Sequence, residues 1–364
     1  MTYEYDALVF IGRFSPFHNG HKAVIDTAIQ KAKEVVIVVG SSFAARNIRN
    51  PFTFEERLTM IKSVYPQDNV KVVPVSDYPY DDSKWVAAVQ NVVYGAISWT
   101  PDPLRIGLIG HEKDGSSYYL KIFPTWGNVS VPNVDGINAT DIRRGLFDPE
   151  HMINIIPMKK YMPQEVVDLI GKFMFTDKKK YRDLGDGRQQ WYDEETEAFS
   201  TLHNEYQMIN KYKEAWKAAP FPPTFMTIDT VVVQSGHVLL VTRGAMPGKG
   251  LLALPGGFLN QEEKMLDGAI RELKEETKIK VPVPVLRGSV KESKIFDAPH
   301  RSQRGRTITQ AFYIDLGFDD RLPKVKGSDD AEKAFWMPLN EVVAQQDKFF
   351  EDHVSIIDYF VHIL

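Results

Sequence analysis

The chain of 364 residues contains no cysteine. Disulfides, thiolate nucleophiles and cysteine-ligated zinc are thereby excluded. Any metal must sit on oxygen or imidazole ligands, and oxygen ligands favour Mg²⁺ or Mn²⁺. An excess of basic charge is also missing. Lys and Arg number 44 against 48 Asp and Glu, a formal net charge of −4, so no global field exists to hold a nucleic-acid polymer. No apolar run approaches the roughly 20 residues that a membrane span needs. The opening string MTYEYDALVFIGRF carries Glu4 and Asp6 ahead of its first base, Arg13, unlike the basic start of a secretory leader. A cytoplasmic location, with neither nucleic acid nor membrane as a partner, is the expectation.

What is present has a globular composition, with 43% hydrophobic and 25% charged residues, and enough length for two domains. The N-terminal part alternates strands and helices. Apolar runs at 7–11, 35–39, 70–75 and 104–109 read as strands, and 22–33, 53–64 and 83–94 carry helical spacing. The β-branched run 35–39 has the pattern of a strand buried on both faces. This βαβα order predicts a doubly wound parallel sheet, with a site beyond the strand ends at residues 11, 39 and 109. From about 176 to 223 the character changes. A basic run at 178–180, Gly185 and Gly187, a polar helical stretch at 194–216 and the stiff segment FPPT read as a connector. Beyond it, 230–233 and 237–242 flank Ser235 and Gly236, a hairpin signal. Helices are expected at 262–277, 339–345 and 354–363, and strands at 307–316 and 333–337, giving a mixed α/β sandwich. The expected division is 1–176, a connector at 177–223, and 224–364.

Residues 12–21, GRFSPFHNGH, follow the first expected strand and open a helix. Gly12 and Pro16 shape the turn, and free N–H groups at a helix start can face an anion. His18 and His21 stand three apart, so both imidazoles can enter one small volume, and Arg13 adds a fixed positive charge. A triphosphate suits such a place better than a neutral ligand.

HNGH matches the HxGH signature of the nucleotidyltransferase superfamily. The longer string resembles the start of archaeal-type nicotinamide mononucleotide (NMN) adenylyltransferases. The segment RNIRNPFTFEER, residues 46–57, resembles that family's phosphate-side segment, and Arg49 falls at a position that contacts ATP phosphates there. Asp77 and Trp85 match an acidic residue and a tryptophan near the nicotinamide; a tryptophan face suits a cationic pyridinium ring. GHEKD at 110–114, followed by SSYYLKIFP, resembles bacterial bifunctional members. INATDIR at 137–143 resembles the ISxTxxR motif, with Thr140 and Arg143 on the phosphate tail and Asn138 in place of its serine. Asparagine also caps helices. The resemblance implies that His18 and His21 contact the α- and β-phosphates while Arg49 and Arg143 hold the β- and γ-phosphates. Such transfer needs alignment and charge stabilisation rather than a covalent intermediate.

Residues 257–279, GFLNQEEKMLDGAIRELKEETKI, carry a second pattern. Glu272, Glu275 and Glu276 share one helix face at i, i+3 and i+4, where they repel unless a divalent cation joins them. The bland alternative is a solvated acidic face. The string resembles the Nudix box, Gx5Ex7REUxEExGU, with Gly257, Glu263, Arg271, Glu272, Leu273, Glu275, Glu276 and Ile279 in register. Lys278 stands at the second glycine. The resemblance implies Mg²⁺ or Mn²⁺ on the three glutamates and a supporting ion pair between Arg271 and Glu263. SQRGR at 302–306 and SDDAEKAFWMPL at 328–339 resemble the ADP-ribose pyrophosphatase branch. Arg301, Arg304 and Arg306 are candidates for the pyrophosphate, and Glu332 or Asp330 for the general base.

Together the resemblances imply an enzyme of NAD metabolism in two parts. One would make NAD⁺ from NMN and ATP. The other would cut ADP-ribose to AMP and ribose 5-phosphate. Two alternatives stay open: a Nudix part that senses ADP-ribose without cutting it, and a different phosphate acceptor at the first site. A homo-oligomer is compatible with the sequence, which sets no oligomeric state.

Overall fold

The computed structural model describes residues 3–98, 103–111, 122–132, 138–148, 160–183, 189–327 and 331–364, with the backbone alone at 179–183 and 189–193. The chain forms two compact units. One comprises Met1–Asp77 and Asp81–Tyr206, the other Tyr78–Tyr80 and Gln207–Leu364.

The first unit is built on β1 (Tyr5–Gly12), β2 (Ala32–Val39), β3 (Val70–Pro74), β4 (Ile106–Gly110) and β5 (Gly127–Ser130). Their order is β3-β2-β1-β4-β5, and every pairing is parallel. Side chains alternate across these strands, and the two faces fill separate cores. Leu8, Phe10, Val35, Ile37 and Val39 join one core with Val24 and Ile25 of α1 (Asn19–Lys31), Met60 and Ile61 of α2 (Phe54–Val64), and Ile170, which lies beyond α4 (Ala139–Phe147) on α5 (Gln164–Met174). Ala7, Val9, Ile11, Val36 and Val38 join the other, with Val89 and Val93 of α3 (Asp82–Ala96). Helices on both faces make the sheet doubly wound, and the order of strands reverses between β1 and β4, where such folds place ligands.

Two boundaries depart from the sequence reading. The expected helix to Lys33 ends at Lys31, and Ala32 already pairs in β2. Ala32 is fully buried, so tertiary pairing overrides its helix propensity. The expected connector is also structured. It contains an antiparallel pair that the sequence reading did not include, β6 (Phe175–Asp183) and β7 (Gln189–Glu195), beside the expected helix, α6 (Glu197–Ala215). Phe199 and Leu202 of α6 belong to the first unit's core, and the division between units falls within α6, after Tyr206.

The second unit has a mixed seven-stranded sheet. β8 (Thr224–Gln234) pairs antiparallel with β9 (His237–Arg243) through a two-residue turn in which Ser235 and Gly236 have φ of 48° and 73°. Positive φ at both positions matches the right-handed twist of a hairpin. β10 (Leu252–Ala253) and β14 (Ala331–Pro338) flank β9, and β11 (Gly256–Phe258) pairs with β8. β12 (Val290–Phe296) pairs with β13 (Arg306–Asp315), which runs parallel to β8. Val232 and Leu239 face Ile270 and Leu273 of α7 (Met265–Thr277) and Leu286 of α8 (Val283–Gly288). Val231, Val233, Val238 and Leu240 face Val342 of α9 (Leu339–Ala344) and Ile356 and Ile357 of α10 (His353–Val361). The result is an α/β/α sandwich.

A buried valine or isoleucine contributes about 1.5–3 kcal/mol, so the run Val35–Val39, each residue 0% exposed, outweighs any single cap. Caps still set the helix starts. At α2, Thr53 Oγ1 accepts from Glu56 N and Glu56 Oε2 accepts from Thr53 N, a reciprocal box. Thr53→Ala should lower the stability of the first unit by about 1 kcal/mol, read as an earlier thermal transition of that unit by calorimetry.

Candidate functional site

At the end of β1 the chain enters α1 through a turn set by two histidines. His18 is the N-cap, and its Nδ1 accepts from Gly20 N at 3.1 Å. His18 N donates to His21 Nδ1 at 3.3 Å. The rings stack at 3.6 Å between centroids. With both Nδ1 atoms accepting from backbone, each neutral ring carries its proton on Nε2. Gly20 leaves room for this ring, because a Cβ there would lie 3.0 Å from His18 Cε1, a tight contact.

Arginines gather near the same turn. Arg49 projects from a loop tied by Asn47, whose Oδ1 accepts from Arg49 N and Asn50 N, and by Arg46, which forms a 2.6 Å ion pair with Glu56. Arg143, on α4, is 7% exposed; it donates to Ser15 O at 2.6 Å and to Thr140 Oγ1 at 3.2 Å. Asn138 caps α4 by accepting from Asp141 N. Burial lowers the Arg13 guanidinium from its ordinary value. Burial and then the charge of Arg13 bring Arg49 down to about 10, and burial with Arg13 and Arg49 does the same for Arg143. Asp77, which accepts from Ser41 N and Ser41 Oγ, acts against this for Arg13 and Arg49. Mutually repelling, desolvated cations around one carboxylate make a place for a polyanion. Trp85 sits beside this region's second core, half-buried, with its ring 6.1 Å from that of Phe123. Of the sequence candidates, residues 112–121 and Ile137 lie outside the described residues.

The second unit gathers its candidates along α7. Gly257 lies under Glu272, so close that a Cβ would fall 2.6 Å from Glu272 Oε1. Arg271 pairs with Glu263 at 2.6 Å, and its Nη1 also reaches Glu272 and Glu275, each at 2.8 Å. Arg271 holds Glu263 down to about 2. Glu276 turns the other way and accepts from Gly256 N at 3.0 Å. Burial pushes its carboxyl up to about 8; the Gly256 N–H opposes this, while Glu272 and Asp229 add to it. Among the described residues no three acidic or imidazole side chains stand ready to hold a metal ion, because Arg271 draws Glu272 and Glu275 aside. The donors nevertheless fit a hard divalent cation. All are carboxylate oxygens, and Glu276 is a desolvated carboxyl among like charges, whose ionised form a cation would favour.

Glu276 lines a cavity with the sequence candidates Arg301 and Arg304, with Phe258, and with four residues that sequence reasoning missed: Asp229, Arg243, Glu351 and His353. Arg301 forms a buried bidentate pair with Asp352 at 2.9 Å. The guanidinium of Arg304 lies 5.2 Å from the centre of the Phe258 ring, and its buried Nε has no hydrogen-bond partner among the described residues. Glu351 has φ of 47°, an uncommon backbone state for a glutamate. Burial pushes its carboxyl up to about 7, against the charges of Arg304 and Arg301. Glu332, by contrast, is exposed on β14, at an irregularity in the pairing with β9 between Ala331 and Lys333, and does not line the cavity. Asp330 lies outside the described residues. Asp229 had one legible signal, a lone acid within the apolar strand TFMTIDTVVVQ.

Residues 224–360 match the NUDIX domain model, and residues 9–96 match the Cytidylyltransferase-like model. The chain is 41% identical over 159 residues to the nicotinamide/nicotinic acid mononucleotide adenylyltransferase of Acinetobacter baylyi, which covers 43% of this chain and 82% of that protein. It is similar along nearly its whole length to a bifunctional NMN adenylyltransferase/ADP ribose pyrophosphatase from Francisella tularensis. That crystal structure gives a TM-score of 0.86 at 36% identity and covers 98% of this chain and 99% of the other. A second structure from that organism, complexed with AMP and a manganese ion, gives 0.82 at 33% identity with the same coverage. Fold and sites thus define a nucleotidyltransferase joined to a Nudix domain. The chain belongs to the family of bifunctional NMN adenylyltransferase/ADP-ribose pyrophosphatases.

Lys278 closes α7 in the left-handed conformation, with φ 46° and ψ 29°. Glycine adopts this state without the Cβ penalty of about 1–2 kcal/mol, offset in part by its greater unfolded-state freedom. Lys278→Gly should therefore raise the second unit's stability by about 0.5–1 kcal/mol, measured by denaturant titration.

Proposed function

We propose that the first unit transfers AMP from ATP to NMN, giving NAD⁺ and pyrophosphate, and that the second hydrolyses ADP-ribose to AMP and ribose 5-phosphate. The observation that carries the first part is the pairing of two Nε2–H imidazoles with Arg13, Arg49 and Arg143 at the end of β1. The NMN phosphate oxygen attacks the α-phosphorus of ATP, and the bond to the leaving pyrophosphate breaks. His18 and His21 donate to the α- and β-phosphate oxygens, and Arg49 and Arg143 hold the β- and γ-phosphates. These donors are fixed by backbone bonds before substrate arrives, so they stabilise developing charge without reorganising. Trp85 supplies a face for the nicotinamide ring. His21→Ala should lower NAD⁺ synthesis by about 10²–10³-fold and leave ADP-ribose hydrolysis intact, as read by chromatography of both products. Near-native synthesis would remove the histidines from this role.

In the second unit the supporting observation is the cavity that joins Glu276 to Arg301, Arg304 and Glu351. Glu272, Glu275 and Glu276 would hold the divalent cation, Mg²⁺ or Mn²⁺, which when bound neutralises pyrophosphate charge and polarises the scissile bond. Arg304, with its unsatisfied donor, and Arg301 orient the pyrophosphate. Water attacks one phosphorus as the bond from that phosphorus to the bridging oxygen breaks, the other phosphate leaves with that oxygen, and the water's proton passes to a carboxylate. Glu351 is placed inside the cavity for this, whereas Glu332 is outside it. A base whose carboxyl titrates near 7 is ionised above that pH and protonated below it. Hydrolysis should therefore rise with pH through about 7. Glu351→Gln should remove that limb and lower the rate by about 10²–10⁴-fold, while Glu332→Gln stays within about twofold of wild type. The reverse ranking would return the base to β14. A domain that only senses ADP-ribose is disfavoured by the intact set of box glutamates, and AMP formation by wild type separates the two readings.

A further inference from the structure

Arg57 belongs to none of the motif positions assigned to ligand, yet it is the least exposed charged residue among the described residues of the first unit, at 0% exposure. Burying a charge is costly unless hydrogen bonds replace water. Here four such bonds do so. Nε donates to Thr53 O at 3.1 Å, Nη1 to Arg13 O at 2.8 Å and to Gly40 O at 2.7 Å, and Nη2 to Ser41 O at 3.0 Å. The four carbonyls come from three separate segments: the turn after β1, the turn after β2 and the cap of α2. A planar fork of five N–H groups can span such a set; an ammonium with three donors on one atom cannot.

The three bridged segments are the ones that frame the anion pocket. Arg13 stands in the HxGH turn. Ser41, with φ of 51°, presents its N–H and hydroxyl to Asp77, and its carbonyl also accepts from Asn50, beside Arg49. Ser41 pays a left-handed backbone penalty of about 1–2 kcal/mol that bonds at its carbonyl help to hold. We propose that Arg57 is a positioning residue for adenylyl transfer: by tying the turns after β1 and β2 to the start of α2, it sets the spacing of Arg13 and the Arg49 loop around the ATP phosphates. Its four acceptors are uncharged, so its positive charge also adds to the field that a polyphosphate meets. Burial, with Asp77 opposing, brings the guanidinium down to about 10, and an arriving anion favours its charged form.

This inference rests on the adenylyltransferase reading of the first unit. The test uses the full chain as wild type, Arg57→Lys and Arg57→Gln. It measures kcat and KM for ATP and for NMN well below the thermal transition, with ADP-ribose hydrolysis by the same preparations as the internal reference. Loss of alignment costs rate even where binding survives. Both variants should lose about tenfold or more in kcat, with KM for NMN within about threefold and hydrolysis unchanged. Lysine keeps the charge, so wild-type kcat in Arg57→Lys would overturn the bridging role. A lowered transition temperature with unchanged kcat, or failure of the first unit to fold in both variants, would overturn it as well, by assigning Arg57 to stability alone. Absence of NAD⁺ synthesis in wild type would instead count against the reading of the unit.

Discussion

Both halves of this protein hold like charges together away from water, and much of the surrounding structure serves to keep them there. In the first unit burial lowers Arg13, Arg49 and Arg143, the charge of Arg13 lowers the other two further, and Asp77 opposes the shift at Arg13 and Arg49. In the second, Glu276 is raised to about 8 by its own burial and by Glu272 and Asp229. Arrangements of this kind oppose folding by themselves. They persist because other contacts, chiefly the apolar cores on both faces of each sheet, supply the stability. The free energy held in each cluster becomes available to a ligand of opposite sign, a polyphosphate at one and a divalent cation at the other.

Backbone geometry converts this charge into directed chemistry. The two imidazoles at the start of α1 have their tautomer fixed by bonds to Nδ1, which leaves the proton of each neutral ring on Nε2. On α7 a helical spacing of one and four residues brings Glu272 and Glu275 to the same guanidinium, while Glu276 accepts from Gly256 N. Arg271 is thereby bonded to Glu263, Glu272 and Glu275 at once, which orders the acidic helix. Rigid strands and caps, rather than long loops, carry these groups.

What could be read from sequence follows from how local each feature is. The doubly wound sheet was legible because each buried strand is a continuous apolar run and each helix repeats on one face. The HxGH turn and the Nudix box were legible because their residues are close in sequence. The hairpin of β6 and β7 was not, since FTDKKKYRD and QQWYDEE lack apolar alternation. Asp229, Arg243 and Glu351 reach the second cavity from segments far apart in the chain, so spacing could not join them. Glu332 lies in a recognisable string, yet it is exposed on β14 and outside the cavity lining. Arg57 was visible as part of a family-like segment, yet only the fold shows that its partners are carbonyls of three different turns.

The central claim, that each cluster awaits a ligand of opposite charge, can be tested on the wild-type chain by hydrogen-exchange mass spectrometry, comparing the free protein with inorganic tripolyphosphate and, separately, with Mn²⁺. Ligand that binds the native state raises the local opening free energy where it sits. The account predicts that tripolyphosphate slows exchange at residues 12–21, 40–57 and 138–147 alone, and that Mn²⁺ slows it at residues 256–276 alone. Protection of the same segments by both ligands, or of neither set, would contradict it.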